Sequence, residues 1–191
     1  MTHIPRGAAL VIVDVQNDFL PGGKLAVLDG DKVIPPLNRY VALFQQNERP
    51  IFATRDWHPA DHCSFKGQGG AWPVHCVADT PGAEFASSLE LPSSASIISK
   101  GTSTRKEAYS GFEGTDLEAR LRQASIDTLY VGGLATDYCV LNTVKDGLRL
   151  GFKVVLLTEA IRAVNVDPGD GARAEHEMLK KGAVCSEQII S

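Results

Sequence analysis

A run of six apolar residues near the start of the chain constrains the fold more than any other feature. The run, Ala8-Ala-Leu-Val-Ile-Val13, contains no polar residue and stops at Asp14. Strands that are covered on both faces have this continuous apolar composition, whereas half-exposed strands alternate apolar and polar residues. The run therefore predicts a buried strand of a parallel sheet, with helices on both faces.

Similar apolar runs recur along the chain, and helical patterns separate them. The predicted strands span residues 8–14, 50–56, 96–101, 126–132, 152–159 and 183–186. Apolar residues at intervals of three and four predict helices up to 46, around 117–124, from about 136 to 151, and over about 170–181. Pro35 and Pro36 are expected to precede the first regular helix. The alternation predicts a three-layer, doubly wound α/β fold whose mostly parallel sheet has about six strands.

Composition excludes several classes of protein. The 191 residues, 43% of them hydrophobic, can bury one core, so a single domain over residues 1–191 is expected. The net charge of −4 without a basic stripe argues against nucleic acid or a membrane as partner. No signal-type or spanning segment is evident, so a cytoplasmic location is expected, and a homo-oligomer is possible. Four cysteines without Cys-x-x-Cys spacing predict free thiols: Cys63, Cys76, Cys139 and Cys185.

One of these cysteines follows directly on a predicted strand. The segment Val131-Gly-Gly-Leu-Ala-Thr-Asp-Tyr-Cys139 runs from that strand into a helix, for which Thr136 or Asp137 is the expected N-cap. Cys139 would then lie in the first helical turn, where free N–H groups and the helix dipole favour a thiolate. For an isolated cysteine, the alternative is a small buried apolar side chain.

Charged residues end three other predicted strands, and these residues are Asp14, Asp56 and Lys100. Ligands of doubly wound sheets bind at the carboxyl ends of the strands, so these side chains are expected near Cys139. For each residue alone, a solvated strand end or a structural ion pair is an equal alternative. Together, a thiol, a carboxylate base and an ammonium group suit attack on an amide carbonyl.

Histidines gather in the long segment between the second and third predicted strands. Asp56-Trp-His58 can supply two metal ligands from one extended stretch, and His62 and His75 follow it. One carboxylate and two or three imidazoles suit Zn, Mn or Fe, although histidines on a surface are the commoner case. Aromatic residues of the surrounding loops are either loop anchors or walls for a flat ring: Phe19, Trp72 and Tyr109.

At these positions the chain resembles the isochorismatase-like cysteine hydrolases. The matching stretches are residues 11–19, 54–59, 72–76, 80–85, 100–102, 109–112 and 133–140. The Asp, Lys and Cys set is shared across the family. Asp56-Trp-His58 with Trp72-Pro-Val-His75 is more specific and is typical of the members that hydrolyse nicotinamide.

The resemblance implies hydrolysis of nicotinamide to nicotinate and ammonia, in pyridine-nucleotide salvage. It implies Cys139 as nucleophile, Asp14 as general base and Lys100 as its electrostatic partner. The N–H groups of Ala135 and Cys139 would form the oxyanion hole, next to a cis peptide between Leu134 and Ala135.

The resemblance also implies one divalent metal ion, with zinc as the first choice, held by Asp56, His58 and His75. It leaves the role of His62 open, and Glu107 stands where a shorter Asp is expected. Phe19, Trp72 and Tyr109 would contact the substrate.

Two other functions compete with this interpretation. A cysteine hydrolase of the same fold that acts on carbamoyl or ureido substrates need not have the metal set. A non-catalytic metal-binding or thiol redox module would use Cys139 as a sensor, but it would leave Asp14 and Lys100 without a purpose.

Overall fold

The computed structural model describes residues 4–186, which form three layers around one sheet. The strands are β1 (Ala8–Val13), β2 (Ile51–Asp56), β3 (Ser96–Lys100), β4 (Thr128–Leu134), β5 (Lys153–Arg162) and β6 (Val184–Cys185). Their order is β3-β2-β1-β4-β5-β6, and every pair of neighbours is parallel. The predicted fold class is confirmed. The ends of the predicted 1–191 domain, residues 1–3 and 187–191, lie outside the described residues.

Strand β1 shows why the sheet needs a helical layer on each face. All six of its residues are buried, and alternate side chains belong to two different hydrophobic clusters. Helix α1 (Ile34–Gln46) packs on the face that contains Leu10 and Ile12. Three helices cover the opposite face: α2 (Leu117–Gln123), α3 (Leu141–Arg149) and α4 (Asp170–Lys180). They contribute Leu117, Val144 and Met178 to its hydrophobic cluster.

Two of the boundaries that differ from the prediction have a direct physical reason. Helix α1 begins at Ile34, so Pro35 and Pro36 lie inside its first turn instead of preceding it. Prolines are tolerated there because N–H groups of the first turn have no partner within the helix. Strand β5 continues to Arg162, beyond the expected end at Glu159, because it pairs with β4 again after a register shift between Val131 and Gly133.

The segment after β4 is not the regular helical start that was predicted. Residues Thr136–Val140 form a π-helical turn, and α3 begins only at Leu141. Ala135 occupies the cap position, and neither Thr136 nor Asp137 caps the turn. The Asp137 carboxylate instead accepts the N–H groups of Val164 (2.9 Å) and Asn165 (2.8 Å), which belong to the loop after β5. The carboxylate expected to be a local cap is thus used for a tertiary contact.

The long connection between β2 and β3 contains only short 3-10 turns. They span Lys66–Gln68 and Pro81–Ala83, and two more, Asn17–Phe19 and Gly30–Val33, lie between β1 and α1. The four cysteines are free, as predicted. Within residues 4–186, no helix combines the length and apolar character needed to cross a membrane.

Candidate active site

The strand order reverses beside β1, and the predicted reactive residues meet at this edge of the sheet. Asp14 directly follows β1, and Cys139 lies in the π-turn after β4. Asp56 and Lys100 are the last residues of β2 and β3 and are partners in the β2–β3 register. All four are buried, and their exposed fractions run from 0% for Asp14 to 7% for Cys139. The predicted convergence at the carboxyl ends of the strands is therefore present.

The Lys100 ammonium lies at the centre of this group. Its Nζ is 2.9 Å from Asp14 Oδ2, 2.5 Å from Asp56 Oδ1 and 3.4 Å from Cys139 Sγ. It also donates a hydrogen bond to the carbonyl oxygen of Ala108 at 3.1 Å. Burial alone would lower the pKa of Lys100, but the neighbouring carboxylates and thiol outweigh burial and raise it well above its usual value. Lys100 therefore stays positively charged between its two carboxylates.

The two oxygens of the Asp14 carboxylate have different surroundings. Oδ1 accepts a hydrogen bond from Thr54 Oγ1 at 2.6 Å. Oδ2 forms an ion pair with Lys100 Nζ at 2.9 Å and has no hydrogen-bond donor within residues 4–186. Burial raises the pKa of Asp14, and Lys100 offsets only part of this effect. One carboxylate oxygen lies within 4.8 Å of Cys139 Sγ, and hydrogen bonding to Asp14 contributes to the raised pKa of the thiol, which places Asp14 beside the proton that it would accept.

Cys139 differs from the expectation of a stabilised thiolate. Burial raises the pKa of its thiol well above the usual value, and the positive charge of Lys100 counteracts only part of the increase. The carboxylates of Asp14 and Asp56 also oppose a negative charge on sulfur. Burial and these two carboxylates oppose the stabilisation expected from the helix N-terminus, and they favour the thiol, which needs a base before it can attack.

Three of the predicted metal ligands form a compact donor set. Ligand atoms of Asp56, His58 and His75 all lie within 4.8 Å of one another, and His58 Nε2 is 3.5 Å from Asp56 Oδ2. The Nδ1 atoms of the two histidines contact the carbonyl oxygens of Gly101 (2.9 Å) and Pro73 (2.8 Å). Because a carbonyl only accepts, Nδ1 carries the hydrogen in each ring, and Nε2 is left for a cation.

The ring orientations separate His62 from this set. The ring centroids of His58 and His75 are 5.0 Å apart, and the two ring planes are nearly perpendicular, at 81°. The rings of His58 and His62 are stacked at 4.0 Å and 23°, which directs their lone pairs along nearly parallel planes. Both nitrogens of His62 are also occupied, Nε2 by the Lys106 carbonyl (3.0 Å) and Nδ1 by Ser64 Oγ (2.7 Å). One carboxylate and two imidazoles therefore remain, a set that fits a divalent ion.

One pocket joins the thiol to these ligands. Phe19, Trp72 and Tyr109 line it, as predicted, and Trp72 Nε1 donates to Tyr109 Oη at 2.9 Å. Tyr138 completes the aromatic wall, with its ring edge-on to Trp72 at 5.0 Å. The prediction missed Tyr138 as a pocket residue, although its position next to Cys139 was a usable signal. Other lining residues that were not predicted are Leu25, Val27, Ala108 and Val164.

The backbone around the thiol is unusual in two places. The Leu134–Ala135 peptide is cis, as expected, and both Ala135 and Cys139 line the pocket. Gly133 has a φ of 125°, and a Cβ at this position would lie 2.0 Å from the carbonyl oxygen of Val13. Only glycine therefore permits this close approach of β4 to β1.

Comparisons with known proteins agree with the geometry. The isochorismatase domain model matches residues 8–188. The chain is 40% identical over 196 residues to the nicotinamidase of Escherichia coli strain K12, covering 92% of each chain. The crystal structure of the pyrazinamidase of Pyrococcus horikoshii in complex with zinc superposes with a TM-score of 0.90 at 50% identity, covering 94% of this chain and 98% of that one. A protein from L. infantum, solved in complex with nicotinate, gives a TM-score of 0.88 at 33% identity, covering 97% and 94%. The chain therefore belongs to the isochorismatase family.

Proposed function

We propose that this protein is an amidase that hydrolyses nicotinamide to nicotinate and ammonia, in the salvage of pyridine nucleotides. The observation that carries this proposal is one pocket lined by two kinds of group, the Cys139 thiol and the Asp56, His58 and His75 ligand set. Among the relatives described above, one is a nicotinamidase and another holds nicotinate.

Nicotinamide has groups that suit both the thiol and the ligand set. It is a flat ring with a carboxamide on one side and a pyridine nitrogen on another. The aromatic walls from Trp72, Tyr109 and Tyr138 can hold the ring, and the carboxamide then faces Cys139. A substrate fixed at two points presents its carbonyl carbon to the sulfur in a reactive orientation, which lowers the entropic part of the barrier.

In the proposed first half-reaction, Asp14 accepts the proton of the Cys139 thiol while sulfur forms a bond to the carboxamide carbon. The carbonyl π electrons move to oxygen, and the N–H groups of Ala135 and Cys139 are assigned as its hydrogen-bond donors. Asp14 then gives the proton to the amide nitrogen. The C–N bond breaks, ammonia leaves, and a thioester to Cys139 remains.

The second half-reaction releases the acid. Water adds to the thioester carbon while Asp14 takes one of its protons. The C–S bond then breaks, and the proton on Asp14 returns to the sulfur of Cys139. Lys100 keeps its charge throughout, so it balances the negative charge that moves between Asp14, the sulfur and the carbonyl oxygen.

We assign one divalent ion to Asp56, His58 and His75, with zinc as the first choice because a relative was solved with zinc. When bound, such an ion supplies a coordination point for the pyridine nitrogen. One of these three residues also contacts the catalytic lysine, since Asp56 presents Oδ1 to Lys100 and Oδ2 towards His58. The ligand set is therefore tied to the catalytic group by one carboxylate.

Three expectations from the sequence stay predictions: a single domain over residues 1–191, a cytoplasmic location and a possible homo-oligomer. A small-molecule substrate is the partner that the pocket supports.

An ammonia-release assay tests the proposed function. The wild-type protein is expected to release ammonia from nicotinamide, and Cys139→Ser is expected to release none. Cys63→Ser is the matched control, because Cys63 is also a free cysteine but does not line the pocket. Turnover of N-carbamoyl compounds with nicotinamide inert would support the carbamoyl-hydrolase alternative. No ammonia from any amide, together with reversible oxidation of Cys139, would support a redox module.

A further inference from the structure

The segment that follows Asp14 contacts both parts of the chain that carry the ligand set, the end of β2 and the stretch around His75. Gln16 is fully buried, and its side chain forms hydrogen bonds with the backbone of Asp56. Its Nε2 donates to the Asp56 carbonyl at 2.7 Å, and its Oε1 accepts the Asp56 N–H at 2.8 Å. The second hydrogen of Nε2 goes to the carbonyl of Ala83 at 2.8 Å. One amide side chain thus satisfies both backbone groups of a proposed metal ligand.

Asp18 plays a corresponding part for His75. It is buried, and its Oδ2 accepts the N–H of Cys76, the residue after His75, at 2.8 Å. Cys76 has a φ of 44°, a left-handed conformation that few residues other than glycine adopt, so this backbone bond holds an otherwise unfavourable turn. Gly82 packs on the carboxylate, and a Cβ there would lie 2.2 Å from Asp18 Oδ2.

We propose that Gln16 and Asp18 are positioning residues that hold Asp56 and His75 at the spacing one divalent ion requires. This assignment rests on the ligand set of the proposed function. The sheet fixes Asp56 at the end of β2, but His75 lies on a connection with only short 3-10 turns. Backbone hydrogen bonds of His58 with Cys76 (2.9 Å) and Ala78 (2.8 Å) join the two stretches, but they do not involve Asp56 or His75 themselves. Gln16 bonds to Asp56 and Asp18 bonds to the residue after His75, so these two side chains add the contacts that fix the separation of the two ligands.

Metal affinity is the measurement that separates positioning from a general effect on folding. Zinc dissociation constants are measured by competition with a chelator, and cobalt absorption spectra report the coordination geometry. Gln16→Glu keeps the acceptor for the Asp56 N–H but loses both donors, and Asp18→Asn replaces one acceptor by a donor. Each is expected to weaken zinc binding about 10- to 100-fold, as changes behind metal ligands typically do.

Asn17→Ala is the matched control. Its side chain lies between the two on the same segment and donates to the Pro81 carbonyl at 2.8 Å, but it does not contact a ligand or its neighbour. Its zinc affinity and cobalt spectrum are expected to match the wild type. Gly82→Ala is a second test of Asp18, because it displaces the carboxylate without changing its chemistry, and it decides the question if Asp18→Asn does not fold.

Wild-type zinc affinity in folded Gln16→Glu and in either Asp18→Asn or Gly82→Ala would overturn the inference. An equal loss in Asn17→Ala would also overturn it, as would a wild-type protein that binds no zinc. A wild-type protein that binds zinc but releases no ammonia from nicotinamide would reject the proposed function alone. Nicotinamide hydrolysis with unchanged zinc binding in the variants would reject the positioning role alone.

Discussion

Replacing Lys100 by methionine removes the cation that lies between the buried carboxylates of Asp14 and Asp56. The methionine side chain has a similar length, so the variant loses the charge and the hydrogen bonds more than the packing. In the wild-type protein, Nζ is 2.9 Å from Asp14 and 2.5 Å from Asp56, and Lys100 is 1% exposed. Without it, both carboxylates stay out of water and lose their counter-charge.

The expected cost is large at neutral pH. Removing one member of a buried ion pair typically destabilises a protein by about 3–5 kcal/mol, because the other charge stays buried without a partner. We expect Lys100→Met to lower the free energy of unfolding by about this amount at pH 7. The surface lysine Lys32 is the matched control, since it pairs with Asp29 at 3.0 Å but both side chains are about half exposed. Lys32→Met is expected to cost less than about 1 kcal/mol.

The pH dependence of folding stability should differ between Lys100→Met and the wild-type protein. In the variant, the pKa values of Asp14 and Asp56 rise above those of the unfolded chain, so the folded state binds more protons and gains stability as the pH falls. In the wild-type protein, burial would raise the pKa of Asp56, but Lys100 and His58 lower it below the unfolded value. Stability from Asp56 is therefore present at neutral pH and is lost only in strong acid. The difference between the two proteins should narrow between pH 7 and pH 5.

Urea unfolding of the metal-free proteins, followed by circular dichroism in the presence of a chelator, measures these differences. A Lys100→Met variant that loses no more stability than Lys32→Met would refute the reasoning. A loss of the same size at pH 7 and pH 5 would also refute it, because the cost would then not come from ionised carboxylates.

Three further changes test the pocket residues. Asp14→Asn is expected to lower kcat about 10²- to 10⁴-fold in the ammonia assay, the usual contribution of a general base, and near-wild-type turnover would contradict the assignment. Thr54→Val removes the hydrogen bond to Asp14 Oδ1 and should raise the pKa of Asp14 further, which moves the acid limb of the kcat/KM profile to higher pH. An unmoved limb would exclude Asp14 as the group that titrates there. Tyr138→Ala removes part of the aromatic wall and should raise KM more than it lowers kcat, whereas a loss in kcat alone would point to a role in the transition state.

The strands could be predicted because each is defined by a local apolar run. Strand β1 was predicted to within one residue, and β4 ends two residues later than expected. The end of β5 depends on renewed pairing with β4 after the shift at Val131, which is a property of two segments and not of either sequence alone. The π-turn was missed because the helical spacing of three and four lies in the residues from Val140 onwards and does not show how the preceding turn is wound.

The reactive residues were predicted by their chemistry and their positions at strand ends. Their contacts were not, since they depend on how the strands pair. The Lys100–Asp56 contact follows from the β2–β3 register, which brings these two residues side by side. The thiol form of Cys139 follows from its burial beside two carboxylates, and sequence alone does not measure burial. The hydrogen bond of His62 to the Lys106 carbonyl likewise joins two loops that lie far apart in the chain.

The central claim is that one substrate is held at both ends, by the ligand set at its ring nitrogen and by Cys139 at its carboxamide. The most direct test compares kcat/KM for nicotinamide and benzamide, which lacks the ring nitrogen, in the zinc-loaded and the chelated protein. We expect nicotinamide to be strongly preferred when zinc is bound, and chelation to remove this preference. Cys139 should remain open to a small alkylating agent that has no ring. Equal turnover of the two amides, with chelation suppressing both to the same extent, would contradict the claim and favour a metal-activated water.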